Sequence, residues 1–226
     1  MSVFPWGSVV NAAAVIAGSL FGLFIGKKYP ENIREIVMDG VGLASLFLGL
    51  SMALKSHNTL VVIFSLLIGG IIGELLSLQD RIERLTQRMG KHTQNAGRFS
   101  QGLLTAFLIF CMGSMTIVGA IDEGIHGDRT LLFTKSILDA FTSIALASTF
   151  GTGVLFSFIP LFVFQGGLTL TASFSHELFS PPMIGNLTAT GGLIILALGI
   201  HILNIKQIKV LNYIPALLIA ALASLF

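Results

Sequence analysis

The sequence predicts an all-α integral membrane protein, a polytopic bundle of seven or eight transmembrane helices, and three observations carry that prediction. Of 226 residues, 54% are hydrophobic and only 11% are charged, whereas soluble domains carry about 25% charge. The apolar residues gather in runs near the 17–25 residues, roughly, that a helix needs to cross about 30 Å of hydrocarbon. The polar breaks between runs are short, and mean hydropathy is +0.88.

Eight runs lie near residues 6–26, 36–54, 58–77, 99–120, 131–149, 153–172, 185–204 and 211–226. The first lacks a basic leader and holds Asn11 early in its apolar stretch, so it reads as a permanent span, not a cleaved signal peptide. The fifth and sixth are separated by Gly151, Thr152 and Gly153, and the last has 16 residues. A bent or re-entrant pair at Gly151–Gly153 would reduce the count to seven. The whole chain, 1–226, is then a single integral membrane domain.

Basic residues orient these spans. Residues 80–98 hold Arg81, Arg84, Arg88, Lys91 and Arg98 against Asp80 and Glu83. Short loops rich in Lys and Arg stay on the cytoplasmic side, which places loop 79–98 there together with Lys27, Lys28, Arg34, Lys206 and Lys209. Lys55, Arg129 and Lys135 fall toward the other side. Within the loop, Leu78, Ile82, Leu85 and Met89 recur at helical spacing opposite the arginines. That pattern predicts an amphipathic helix, lying on anionic lipid or packed against the bundle or a neighbouring subunit. Few cations and no interleaved aromatic residues argue against nucleic acid as a partner.

An internal repeat is legible in outline. Ile36-Val37-Met38-Asp39-Gly40 is echoed by Ser136-Ile137-Leu138-Asp139-Ala140, and Gly69-Gly70 by Gly166-Gly167 at a similar distance beyond each aspartate. Units of three spans, 1–78 and 99–180, joined by the 79–98 linker, would enter the membrane from opposite sides as an inverted repeat. Such repeats recur in transporters because exchanging their conformations exposes a central site to each face in turn. The hairpin 181–226 lies outside the repeat, as a brace or an interface between copies of the chain.

Polar residues inside the apolar runs nominate a binding site. Asp139 leads, because a carboxylate this deep is costly unless hydrated, protonated or paired, and such groups are functional candidates by default. Lys135, four residues earlier, is placed to pair with it, and Ser143 adds a hydroxyl along the same span. Asp39 is the repeat counterpart of Asp139, although a place at the cytoplasmic interface also accounts for it. Glu74 reads as an interfacial carboxylate near Arg81 or as a deeper site. Asn11 and Gln165 carry amides that bond across helices or ligate a solute. Gly166 and Gly167 beside Gln165, with Pro160 upstream, offer either a broken helix with exposed backbone groups or close packing of a regular one.

The remaining chemistry is sparse. Cys111 is the single cysteine, which leaves no intramolecular disulfide and no cysteine metal centre. Asp122, Glu123, His126 and Asp128 are the densest group of metal-ligating types, most simply read as a solvated acidic loop. The five histidines form no HExxH pattern, and neither Gly113-Ser114-Met115-Thr116 nor Gly151-Thr152-Gly153 has the lysine and strand of a phosphate loop. No cofactor is implied, and no nucleophile and base converge as an enzyme requires. The expected function is therefore secondary transport of a small solute or ion, cations included, coupled to protons or sodium. A channel or a membrane scaffold is the alternative.

Several of these residues also carry a family likeness. Pro5-Trp6-Gly7-Ser8-Val9-Val10-Asn11 with Gly18-Ser19-Leu20-Phe21-Gly22, the block Gly113-Ser114-Met115-Thr116-Ile117-Val118-Gly119-Ala120-Ile121, and Lys135-Ser136-Ile137-Leu138-Asp139 resemble bacterial inner-membrane proteins known as domain of unknown function 554. Gly191-Gly192-Leu193-Ile194 and Ile208-Lys209-Val210-Leu211-Asn212-Tyr213-Ile214-Pro215 extend the likeness along nearly the whole chain. The resemblance implies a bacterial plasma-membrane protein of this length, suspected at most of transport, and carries over no site residue. Where that family often has glycine after the aspartate, this chain has Ala140.

Overall fold

A computed structural model describes residues 4–26, 30–89, 96–174 and 180–225. Its helices are α1 (Trp6–Gly26), α2 (Glu31–Ala53), α3 (Thr59–Leu75), α4 (Leu78–Met89), α5 (Ala96–Cys111) and α6 (Ser114–His126). There follow α7 (Thr130–Phe150), α8 (Thr152–Phe156), α9 (Phe158–Phe174), α10 (Pro181–Ile202), a 3₁₀ turn at Val210–Tyr213, and α11 (Pro215–Ala223). No strand occurs among the described residues, as the all-α expectation requires.

Among the described residues, five helices, Trp6–Gly26, Glu35–Ala53, Thr130–Phe150, Thr152–Phe174 and Pro181–Ile202, are long and apolar enough to cross a membrane. Two bent pairs bring the number up to seven: Thr59–Leu75 with Leu78–Arg84 at 52°, and Gly97–Cys111 with Met115–His126 at 56°. An eighth full span over 211–226 is not formed, because the 3₁₀ turn and Pro215 leave α11 with nine residues. The 99–120 run is not one straight helix either. Helix α5 stops at Cys111 and α6 restarts after Gly113, and the Thr116 hydroxyl caps the freed Phe110 carbonyl at 2.5 Å. Gly151 separates α7 from α8 at φ +82°, a conformation an L side chain resists.

Side chains are distributed inside-out relative to a soluble protein. Ile36, Phe47, Phe141 and Leu75 are exposed, while Ser8, Asn11, Glu123, Gln165 and Thr190 are fully buried. Water would not tolerate such an exterior over whole helices, whereas lipid requires it. The chain is a membrane protein.

Two compact units divide the chain, Met1–Met38 with Gly90–Leu178, and Asp39–Met89 with Phe179–Phe226. These boundaries cross those of the sequence repeat. In the first unit α1 runs parallel to α7. A Cβ on Gly18 would strike the Ala140 carbonyl, one on Gly22 the Ile144 carbonyl, and one on Gly26 the Ser148 backbone. Close approach of two backbones is what small residues provide in membranes. Helix α5 also runs in the same direction as the α8–α9 span, with Phe99 against Phe156 at 5.6 Å and Phe107 edge-on to Phe164 at 6.4 Å between ring centroids.

In the second unit α3 runs antiparallel to the C-terminal segment, Gly69 against Ala216 and Gly73 against the Asn212 carbonyl. Helix α2 lies antiparallel to α10 through Gly42, Gly49, Gly192 and Gly199. Asn58 caps α3 by accepting the N–H groups of Leu60 and Val61, and its own N–H donates to Asn186 Oδ1 at 2.9 Å.

Candidate functional site

Three helices of the first unit bring polar side chains to one buried point. Asn11 is the sixth residue of α1, Gln165 the eighth of α9, and Lys135 and Asp139 the sixth and tenth of α7. At 1.5 Å per residue, Asp139 lies about 13 Å along α7 from its start. Asn11 Nδ2 donates to Asp139 Oδ2 at 3.0 Å and to Gln165 Oε1 at 3.2 Å. Lys135 Nζ, one helical turn before Asp139, donates to the same Oδ2. The two charged side chains are 6% and 8% exposed, so this ion pair has little water to screen it. The Lys135 ammonium also stands 5.8 Å from the centroid of the Phe110 ring, within reach of a cation–π attraction.

The network is incomplete. Asn11 Oδ1 and Gln165 Nε2 are buried without a partner, and so is the hydroxyl of Ser8, one turn before Asn11. Unpaired polar atoms in a low-dielectric interior are costly, which marks them as places for a solute or water.

Beside this cluster, Glu123 of α6 enters the interior fully buried. Its Oε1 accepts the Gly7 N–H at 2.8 Å and Arg129 Nε at 3.1 Å. Gly7 sits in the first turn of α1, where backbone N–H groups have no helical acceptor and the helix dipole favours a carboxylate. A side chain at residue 7 would collide with Leu132 and Glu123.

Of the sequence candidates, Asn11, Asp139 and Gln165 converge, and Lys135 pairs with Asp139 as its spacing suggests. Ser143 is buried but does not join them. Its hydroxyl donates to the Ala140 carbonyl, and the side chain faces Gly18 at the α1–α7 contact. Gly166 and Gly167 do not break their helix. Helix α9 runs through both, Gly166 against Pro5 and Ser8 and Gly167 beside open space. The interruption falls instead at Ser157, ahead of Pro160, whose ring removes a backbone donor. Ala140 likewise lies in continuous helix.

Asp39 is exposed on α2, in the second unit. Glu74, at the end of α3, meets Lys209 at 2.7 Å and Asn212 Nδ2 at 2.6 Å rather than Arg81. These residues, with Gly70 and Tyr213, line a 340 Å³ cleft of the second unit. Hydrogen bonding to Glu74 holds the Lys209 pKa above its ordinary value.

The acidic loop is dispersed. Asp122 pairs with His126 at the surface, and Asp128 caps α7 through the hydroxyl and N–H of Thr130, which lower its pKa. No group of three metal-ligating side chains occurs among the described residues. Lys91, His92, His176 and Glu177 lie outside them. Glu123 and Ser8 are the members that sequence reasoning missed. The signal for Ser8 was its place one turn before Asn11, whereas Glu123 was hidden among solvated acids.

Comparison with known proteins adds kinship without an activity. The family model described as "Protein of unknown function (DUF554)" matches residues 6–225. "Uncharacterized membrane protein YdfK" of Bacillus subtilis (strain 168) is 36% identical over 219 residues, 95% of this chain and 93% of that protein. "Uncharacterized protein YqgA" of Escherichia coli (strain K12) is 34% identical over 220 residues, 95% of this chain and 94% of that protein. No solved structure matches the chain.

Proposed function

We propose that this chain, which belongs to the DUF554 family, is a secondary transporter of a small polar solute or ion across the bacterial inner membrane. The observation that carries the reading is the Lys135–Asp139 pair, bridged by Asn11 to Gln165 across three helices and left with two unpaired amide atoms. A purely structural contact gains little from such a group. Replacing a buried ion pair with apolar side chains is often neutral or stabilising, and charges at membrane depth mark solute or proton paths.

The sequence contains no nucleotide-binding motif, so the energy would come from a proton or sodium gradient. Helices that bear the cluster belong to both halves of the proposed repeat, α1 to 1–78 and α7 and α9 to 99–180. In inverted-repeat transporters the binding site forms where helices of the two repeats meet. The positive-inside rule puts loop 79–98 in the cytoplasm, and residues 181–226 are suited to bracing the protein or pairing two copies.

Purified protein in liposomes tests the reading. Transport predicts saturable uptake of a solute, counterflow when unlabelled solute is trapped inside, and loss of gradient-driven accumulation in Asp139→Asn. Single-channel conductance without counterflow would mean a channel. Absence of both solute flux and conductance would leave a scaffold.

A further inference from the structure

The hydrogen bonds at the buried cluster have a direction, and one proton sets it. An ionised carboxylate only accepts, so Asp139 forces Asn11 to present its NH₂ group. The same Nδ2 faces Gln165, which must therefore present its carbonyl oxygen. Asn11 Oδ1 and Gln165 Nε2 are left unpaired by this order, both on fully buried side chains.

A proton on Asp139 reverses the chain. The carboxyl becomes a donor, Asn11 turns its amide to offer Oδ1, and Gln165 turns to offer Nε2 to the same oxygen. Two hydrogen bonds exist before and two after, with opposite polarity. Asn11 Nδ2 is then released, and the Lys135 ammonium loses its counter-charge. A buried cation without an anion is strongly unfavourable.

We propose that this cluster binds a small monovalent carboxylate together with one proton, the solute taking over from Asp139 the two donors Lys135 Nζ and Asn11 Nδ2. The assignment rests on the transport reading above and gives it a substrate class and a coupling ion. Charge balances at each step. The empty site holds one ammonium and one carboxylate. The loaded site holds the same ammonium, a neutral Asp139 and the solute's carboxylate. The proton comes from water on whichever side the site faces and leaves with the solute, and no covalent bond changes.

The donors match a carboxylate because they already hold one. A divalent anion would leave the site charged, and a cation would face Lys135. Phe110 stands beside the ammonium. Facing Asp139 are Lys135 from its own helix and the buried Cys111 from α5. Helices α1 and α9 contribute Asn11 and Gln165 and contain no charged residue.

The test uses purified full-length protein in detergent with potassium acetate, propionate and L-lactate as probes and potassium chloride as the control. Thermal stability and proton uptake from weakly buffered solution are both read. The expected result is stabilisation by at least one of the acids, with one proton taken up per molecule bound. The midpoint concentration then rises about tenfold per pH unit. Asp139→Asn imitates the protonated carboxyl, so it should bind the acid with its pH dependence lost. Lys135→Met should not respond, nor should the folded control Lys135→Met/Asp139→Asn, which carries no buried charge at the pair.

A flat response of the wild type to all three acids overturns the proposal. So does a pH-independent response, or loss of binding in a folded Asp139→Asn. Asp139-dependent uptake of a solute without a carboxylate overturns it too, while leaving transport intact.

Discussion

Two clusters in this molecule are assembled from nearly the same side chains and differ in what surrounds them. In the first unit, Lys135, Asp139, Asn11 and Gln165 meet in the interior, with both charges less than a tenth exposed. In the second, Lys209, Glu74, Asn212 and Gln79 meet at the end of α3, where the charges are 52% and 59% exposed. The exposed set is fully used. Asn212 donates to Glu74 and accepts the Gln79 N–H at 2.8 Å, and Gln79 accepts the Leu211 N–H. The buried set keeps two amide atoms vacant. Similar groups at the surface pin a loop to a helix, and inside they form a charged site with hydrogen-bonding capacity left over. Environment rather than composition separates the roles.

The contrast breaks most sharply at the lysines. Lys135→Met strands an ionised Asp139 and should cost about 3–5 kcal/mol of stability in detergent, partly recovered in the double variant with Asp139→Asn. Mixed-micelle denaturation measures both. Equal stability of the single and double variants would show that the pair is not desolvated.

Packing should respond next. Gly18→Ala places a methyl against the Ala140 carbonyl and Gly73→Ala places one against that of Asn212, each at about 1–3 kcal/mol. Gly73→Ala should also loosen Asn212 from Glu74, whereas Gly18→Ala acts on the α1–α7 contact that carries Asn11. Gly167→Ala, with no atom near its added methyl, should stay within about 0.5 kcal/mol.

Asn11→Ala removes a donor shared by two acceptors and should cost about 1–3 kcal/mol, with the loss insensitive to salt. A salt-dependent loss would place the site in contact with bulk solvent.

The smallest effect belongs to the exposed pair. The Lys209 pKa is raised above its ordinary 10.5, chiefly by hydrogen bonding to Glu74. Its contribution is present in full below that value and disappears as pH climbs through the higher folded one. Lys209→Ala should therefore lose that small contribution at neutral pH, and melting curves of wild type and variant should converge as pH climbs through the folded value.

Much of this was legible residue by residue. Asp139, Asn11 and Gln165 stood out because a polar side chain inside an apolar run has few explanations, and Lys135 announced its partner by a four-residue spacing. Glu123 did not stand out. Its neighbours Asp122 and His126 pair on the outer side of the last turns of α6 and Asp128 lies in the connection beyond, and only the three-dimensional position of the α1 N-terminus draws this one acid inward. Gly166 and Gly167 were ambiguous for a different reason. Glycine permits a break without imposing one, and the neighbours of α9 decide. Ser143 was placed on the correct helix, but its hydroxyl is occupied by its own backbone.

Composition, run length and the position of charges determined by themselves that the chain is helical and lies in a membrane, because hydrocarbon rejects unpaired backbone groups and isolated charge whatever the detailed packing. The tertiary structure decided which polar residues share a site. Asn11 lies 128 residues from Asp139 and 154 from Gln165, and no local periodicity can register groups so distant. Their meeting depends on α1 running parallel to α7 through Gly18, Gly22 and Gly26, a contact set by backbone shape.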